Sequence, residues 1–179
     1  MTTTITTNQT ALPTDTHRIE WIDFINSTSS FEHFLTLTFN YGTTRRDCFQ
    51  SGNLLIHRLN QYIFGRRYKK TNQHLAGFAF TELQKSNQPH FHILIARDPL
   101  YTLKGKPSFE LHLTRQLYRF HYNYFALNRT NRNSLHLSNV VLKPIYDQRN
   151  LISYCTKTMY LNNNSNFISP LGPDGMTSI

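Results

Sequence analysis

The order of apolar patterns along the chain predicts an α+β fold, with a central, mostly antiparallel sheet of about five strands flanked by helices. In segments of strand length, apolar residues alternate with polar ones or form short runs, and between these segments they recur at helical spacing. Two strand-like segments stand a few polar residues apart, which is typical of a hairpin. The 179 residues, 39% of them hydrophobic, suffice for one packed core.

The first third of the chain predicts a tail, a strand and a helix. Residues 1–15 are rich in Thr and poor in large apolar groups, which predicts a flexible tail. A short amphipathic segment follows at 17–26. FEHFLTLTFN at 31–40 alternates in polarity and predicts the first strand, whereas residues 45–64 carry apolar groups near helical spacing and predict a helix.

The middle of the chain predicts a hairpin, a helix and a further strand. LAGFAFTEL at 75–83 and PHFHILIA at 89–96 read as two strands, and the polar QKSNQ joins them. A long aromatic segment at 109–128 predicts a helix. SLHLSNVVLKPIYD at 134–147 predicts one strand or a bent pair.

The last part of the chain predicts a helix and a second tail. Asp147 suits the N-cap of a helix over 148–162. Residues 166–179 are polar and contain Pro and Gly, so we predict a flexible tail there and one folded domain over residues 16–165. No window approaches the roughly 18 apolar residues of a membrane span, and the N-terminus lacks signal-peptide character. We therefore expect a soluble, cytoplasmic protein without a membrane partner.

The charge of the chain favours a polyanionic partner. Lys and Arg number 19 against 10 acidic residues, which gives a formal net charge of +9. The two cysteines, Cys48 and Cys155, stand in unrelated contexts, so neither a disulfide framework nor a cysteine-based zinc site is indicated. Six basic residues in short clusters are candidates for contacts with DNA phosphates: Arg45, Arg46, Arg66, Arg67, Lys69 and Lys70.

Two histidines of one predicted strand, His90 and His92, point to the same side because side chains alternate along a strand. If the hairpin turn is centred near Ser86, Glu82 lies opposite one of them and faces the same side. A register slip of one residue would turn Glu82 away. Two imidazoles and a carboxylate suit a divalent cation such as Mn²⁺, Mg²⁺, Co²⁺ or Zn²⁺, and the residues do not choose among these four. The alternative is ordinary sheet histidines bonded to neighbours or solvent.

The segment SYCTKTMY at 153–160 contains a candidate nucleophile. In a helix, Lys157 lies about 60° around the axis from Tyr154, so both reach one site, whereas Tyr160 is displaced by about 120°. A phenol attacks phosphorus only when it is aligned and when a metal or cation stabilises the phosphate charge. Tyr154 is therefore the first candidate and Tyr160 the competitor, while packing is the ordinary role of any one of the ten tyrosines.

Three short motifs resemble those of a known family. LTLTF at 35–39, PHFHILI at 89–95 and YCTK at 154–157 resemble, in order and spacing, the motifs of HUH endonucleases, especially the rolling-circle replication initiator (Rep) proteins. The resemblance spans about residues 31–162. It implies a sheet of the HUH/Rep nuclease type and strand-specific nicking of single-stranded DNA.

The resemblance also implies residue roles. His90 and His92 would be metal ligands, and Glu82 would be the third ligand from the neighbouring strand. Tyr154 would become joined to the 5′ phosphate and leave a free 3′ hydroxyl. Lys157 would assist at the phosphate or at a metal-bound water.

Departures from the family pattern narrow the expectation. Two-tyrosine initiators place the second tyrosine four residues after the first, where this chain has Thr158, so a single-tyrosine mechanism is expected. The expected substrate is single-stranded origin DNA or an origin hairpin in a bacterial or phage-infected cell. No helicase motif follows, so we expect a separate host helicase and polymerase to open and copy that DNA. A single-tyrosine transposase and a relaxase are the alternatives within the superfamily. A non-catalytic nucleic-acid-binding module is the alternative from another class.

Overall fold

The computed structural model describes residues 14–83, 89–96, 137–157 and 168–176, together with six helical residues between positions 111 and 118. No helix among these residues is long and apolar enough to cross a membrane. The elements are, in chain order, α1 (Thr14–Thr28), β1 (Phe31–Phe39), α2 (Arg45–Phe64), α3 (Tyr68–Thr71), β2 (Gly77–Leu83), β3 (Pro89–Ala96), β4 (Leu137–Pro144), α4 (Gln148–Cys155), β5 (Ile168–Gly172) and β6 (Gly175–Met176).

The strands form a six-stranded sheet in the order β4-β1-β3-β2-β5-β6, and every neighbouring pair is antiparallel. The predicted α+β fold with a central antiparallel sheet is therefore confirmed. The β1 strand lies inside the sheet and alternates strictly between buried and half-buried residues. Such alternation places one set of side chains on each face of the sheet.

Each face of the sheet carries its own apolar core. On one face, α2 packs against the odd-numbered residues of β1 and β3, including Leu35, Leu37, Phe91 and Ile93. On the other face, α1 and α4 contribute Ile22, Ile25 and Ile152, which pack against the sheet residues Phe78, Phe80 and Leu94. The histidines of β3 lie on this second face, beyond the end of its apolar core.

Two predicted boundaries near the C-terminus differ from the structure. The helix predicted over 148–162 begins as expected, with Asp147 accepting a hydrogen bond from the Asn150 amide at 3.1 Å, but it ends at Cys155. The flexible tail predicted for 166–179 is wrong for residues 168–176, which form β5 and β6. Residues 1–13 and 177–179 lie outside the described residues.

The C-terminal hairpin is held by long-range contacts that its own composition does not reveal. Tyr68, fully buried, donates its hydroxyl to the Pro173 carbonyl at 2.8 Å and contacts His57 Nδ1. Lys69 forms an ion pair with Asp174. These contacts join the turn between β5 and β6 to α2 and α3, and the apolar residues of both strands are buried in the two cores, which together order the segment.

Replacing Gly77 by Ala tests the close packing of β2 on β3. A Cβ at position 77 would lie 1.9 Å from the Leu94 carbonyl oxygen, so one backbone must move. We expect the free energy of unfolding to fall by about 3 kcal/mol or more. Gly42→Ala is the control, since its φ of +78° disfavours Ala but nothing lies within 4 Å; there we expect about 1 kcal/mol. If both variants lost the same free energy of unfolding in urea denaturation, the close contact of Gly77 with the Leu94 carbonyl would be contradicted.

His57 gives the fold a predictable pH dependence. Burial, followed by the nearby Lys69 and Arg58 charges, lowers the pKa of His57 below its ordinary value. The unfolded chain therefore binds more protons than the folded one as the pH falls below about 6.5, so stability falls with pH in that window. The slope of unfolding free energy against pH between about 7 and 5 should be smaller in His57→Gln. An unchanged slope would contradict this assignment.

Candidate functional site

The pairing of three strands gathers the candidate residues on one face of the sheet. Glu82 of β2 pairs with His90 of β3, which is the register predicted from the hairpin length. On the other side of β3, β1 places Thr36 opposite His92 and Thr38 opposite His90. Directly paired residues of antiparallel strands point to the same face, with Cβ atoms about 4.5–5.5 Å apart. Two imidazoles, a carboxylate and two hydroxyls therefore share one small area.

His92 is fixed from three sides. Its side chain is only 7% exposed, its Nδ1 lies 3.3 Å from Thr36 Oγ1, and its Nε2 lies 2.8 Å from Glu82 Oε2. The Phe34 ring stacks on the imidazole with the ring centroids 5.3 Å apart. Contacts at both nitrogens and on the ring face restrict the rotation of this histidine. The imidazole of His90 lies beside it, with the two ring centroids 6.4 Å apart.

The α4 helix places Tyr154 next to this cluster. Its ring lies edge-on to His92 with the centroids 5.7 Å apart, and 45% of the residue is exposed. The neighbouring Ile152 and Cys155 are buried in the second core, so they hold the helix against the sheet. Tyr154 is therefore beside the cluster and also accessible to a large substrate.

Lys157 reaches the same cluster from a turn rather than from the predicted helix. Its backbone amide donates to the Tyr154 carbonyl at 3.2 Å, which brings the chain round just after α4 ends. Its Nζ lies 3.0 Å from Glu82 Oε1 and 3.8 Å from the centroid of the Tyr154 ring. The predicted juxtaposition of Tyr154 and Lys157 is thus present, although the helical geometry expected to produce it is not.

The charges of the cluster stabilise one another. Burial would raise the pKa of Glu82, but hydrogen bonds from His92 and Lys157 outweigh it and lower that pKa. Partial desolvation would lower the pKa of Lys157, yet its bonds to Glu82 and Tyr154 raise it. Burial, with the neighbouring His92, lowers the pKa of His90. At neutral pH the site therefore contains a carboxylate, an ammonium group and, at His90, a neutral imidazole.

The donor chemistry of this face fits a divalent cation. Among the described residues, no three His, Cys, Asp or Glu side chains are already arranged as a metal cluster. His92 Nε2 and Glu82 Oε2 nevertheless lie 2.8 Å apart, close to the roughly 3 Å between adjacent ligand atoms around an octahedral ion with bonds near 2.1 Å. The β2–β3 pairing places His90 directly opposite Glu82 on the same face, so a second imidazole lies beside these two atoms.

The six basic residues proposed for DNA contacts do not form one patch. All six are exposed, but Arg45 and Arg46 begin α2 whereas the other four follow its end, and a 20-residue helix is about 30 Å long. The α2 helix starts five residues after β1 ends, and that end of β1 carries Thr38 beside His90. Arg45 and Arg46 are therefore at the same end of the sheet as the site, but α2 packs on the opposite face of the sheet. The remaining four, Arg66, Arg67, Lys69 and Lys70, are at the far end.

Some residues of the site are not predicted by motif spacing, and some predictions lie outside the described residues. The sequence predicts a strand at Thr36 but not a part in the site; its alternation with Leu35 and Leu37 gives its face of the sheet, and only the β1–β3 pairing places it opposite His92. Phe34, which stacks on His92, shares the face of Thr36 by the same alternation, but the stacking itself has no signal in the sequence. Tyr160, the competing nucleophile, lies outside the described residues.

Comparison with known proteins does not assign a family. No protein-family model matches the chain. No curated protein and no solved structure matches it at a significant level. The likeness to HUH endonucleases therefore depends on three short motifs and on where their residues lie.

Lys157 is expected to compete with a cation for Glu82. Because its ammonium group occupies one carboxylate oxygen, Lys157→Met should strengthen Mn²⁺ binding, by about three- to tenfold given an interaction between charges near the protein surface. Lys143→Met is the matched control: by strand pairing Lys143 is on the same face, but on β4, which is three strands from Glu82. Isothermal titration calorimetry measures both. Weaker binding by Lys157→Met than by wild type would contradict the competition.

Proposed function

We propose that the protein is a metal-dependent, single-tyrosine endonuclease and strand transferase of the HUH type. It would nick and rejoin single-stranded DNA at a specific site and so initiate rolling-circle replication of a plasmid or phage. The observation that carries the proposal is the meeting of two distant parts of the chain: Tyr154 and Lys157 lie against His92 and Glu82. A sheet that used its histidines only for packing would not need a half-exposed tyrosine and a lysine beside them.

Tyr154 supplies the nucleophile in this proposal. Its phenol oxygen forms a bond to the scissile phosphorus while the bond from phosphorus to the 3′ oxygen breaks. The phenol loses its proton and the departing 3′ oxygen gains one, which gives a 5′-phosphotyrosine and a free 3′ hydroxyl. The reverse reaction with another 3′ hydroxyl rejoins the strand.

Lys157 acts as a cation rather than as a base. Its raised pKa keeps the ammonium group protonated at neutral pH, and its Nζ lies 3.8 Å from the Tyr154 ring centroid. A positive charge there stabilises both the developing phenolate and the phosphate oxygens. This role needs no proton transfer by Lys157.

His90, His92 and Glu82 would hold the divalent cation, Mn²⁺ or Mg²⁺. When bound, such an ion polarises the scissile phosphate and stabilises the leaving oxygen. The residues around the ligands orient them: Thr36 contacts the second nitrogen of His92, as side chains beyond the ligands do in other metal sites. Thr36 and the stacked Phe34 ring keep His92 in one rotamer beside Glu82.

The substrate would be single-stranded DNA or an origin hairpin. The formal net charge of +9 favours a polyanion. Of the six basic residues, Arg45 and Arg46 lie at the site's end of the sheet, although on the opposite face, so they could contact phosphates of a strand that passes around that end. A separate host helicase and polymerase would open and copy the DNA.

Tyr154→Phe tests the proposed nucleophile directly. It should abolish the covalent protein–DNA adduct that wild type forms with single-stranded origin DNA and Mn²⁺, because the attacking oxygen is gone. Denaturing gel electrophoresis with labelled DNA measures the adduct. Tyr146→Phe is the matched control, since Tyr146 precedes α4 and is 94% exposed, and it should react like wild type.

Three results would contradict the nucleophile assignment or the proposed function. Loss of the adduct in Tyr160→Phe, with Tyr154→Phe still reactive, would move the nucleophile to Tyr160. Tight binding of single-stranded DNA by wild type, without an adduct on any strand of its replicon, would favour a non-catalytic nucleic-acid-binding module. Adduct formation at transposon ends or at a transfer origin alone would favour a transposase or a relaxase.

A further inference from the structure

We propose that Arg18 is a positioning residue for Tyr154 and Lys157; the inference rests on the proposed function and adds a residue that none of the three motifs contains. The Nη2 group of Arg18, on α1, donates to the Ser153 carbonyl at 2.8 Å and to the Ser153 hydroxyl at 3.0 Å. Its Nε donates to Thr156 Oγ1 at 3.4 Å. The guanidinium therefore contacts the residues immediately before Tyr154 and immediately before Lys157.

The last turn of α4 needs such a partner. With eight residues, α4 is too short to be stable alone, and the final carbonyls of a helix lack helical donors. The Ile152 carbonyl accepts from the Thr156 amide at 2.9 Å. The Ser153 carbonyl accepts from Thr156 Oγ1 at 3.2 Å and, at a shorter distance, from Arg18. Arg18 thus ties this turn to another element, and its charge suits the negative end of the helix dipole.

A second arginine joins the same two helices at the other end of α4. Arg149 Nη1 lies 2.8 Å from Asp23 Oδ1, and the two side chains are 61% and 54% exposed. An exposed ion pair of this kind contributes little to stability. Arg149 is therefore a matched control: the same residue type also links α1 to α4, but one and a half turns away from Tyr154.

The apolar packing of α4 does not depend on Arg18. Ile152 and Cys155 are buried against α1 and the sheet, so the helix should remain docked when the guanidinium is removed. What changes is the position of the last turn, and with it the Tyr154 oxygen and the Lys157 ammonium. A displacement of about 1 Å in a reacting group can cost up to about a hundredfold in rate.

Single-turnover kinetics test the functional consequence. In Arg18→Ala, the rate constant of adduct formation at saturating single-stranded DNA should fall about tenfold or more, while the Kd for DNA changes less than about twofold. Arg18→Lys should recover part of the rate, because an ammonium group can reach the Ser153 carbonyl but cannot make all three contacts. Arg149→Ala should stay within about twofold of wild type.

Nuclear magnetic resonance tests the positioning without DNA. With ¹³C-labelled Tyr and Lys, Arg18→Ala should shift or broaden the ring signals of Tyr154, which lies edge-on to His92, and the ε-carbon signal of Lys157. Arg149→Ala should leave both in place. Tyr154→Phe and Lys157→Met identify the signals.

The outcomes separate the two proposals. Unchanged Tyr154 and Lys157 signals in Arg18→Ala would overturn the positioning role, whatever the DNA assay shows. A wild-type protein that forms no adduct would overturn the proposed function, while the resonances still decide whether Arg18 holds the turn. If Arg18→Ala does not fold by circular dichroism, Arg18→Met, which keeps the aliphatic part of the side chain and removes the guanidinium, replaces it in the same comparison, and unchanged Tyr154 and Lys157 signals would again overturn the role.

Discussion

The pairing of Glu82 with His90 across the β2–β3 hairpin is the constraint on which the candidate site depends. Because strand side chains alternate, this one register decides that a carboxylate rather than Thr81 faces the two histidines. It also decides which acceptor Lys157 meets, since the ammonium group donates to the carboxylate of Glu82. A shift by one residue would leave Lys157 without that anion and the histidines beside an apolar or hydroxyl side chain.

The surrounding elements leave this face of the sheet exposed at the end with the histidines and cover it at the other end. The α1 and α4 helices pack on the apolar half of the face, where Phe78 and Leu94 are buried, and α4 ends where the polar half begins. Tyr154 is therefore at a boundary between a packed core and solvent. A group in this position can be held firmly by its helix and still be reached by a polymer as large as a DNA strand.

The sequence predicts those features of the site that arise from residues close together in the chain. The β2–β3 register follows from two patterned runs and a short connection, and the predicted bounds of α2 agree with the structure because its apolar periodicity is long. The early end of α4 is not predicted by helical periodicity. The Ser153 carbonyl, which the Lys157 amide would use in a continued helix, accepts from Arg18 at 2.8 Å, and that amide donates to the Tyr154 carbonyl instead. Lys157 nevertheless reached Tyr154, by a turn rather than by a helical face.

Features that depend on contacts between distant residues were not predictable from the sequence. The β5 strand reads as a polar tail because its pairing partners, Phe78 to Phe80, are about ninety residues earlier. The contact between Arg18 and Ser153 spans 135 residues and involves no motif. The separation of the basic residues likewise follows from the length of α2, which places clusters close in sequence at opposite ends of the molecule.

The central claim is that Glu82, His90 and His92 form one cation site. Pulsed electron paramagnetic resonance of the Mn²⁺-loaded protein tests it most directly, since couplings from histidine nitrogens reveal imidazole ligands. We predict couplings from two histidines, of which one disappears in His90→Gln and one in His92→Gln, and weaker Mn²⁺ binding in Glu82→Gln. Mn²⁺ that binds without histidine couplings, or with couplings that survive both histidine substitutions, would contradict the account.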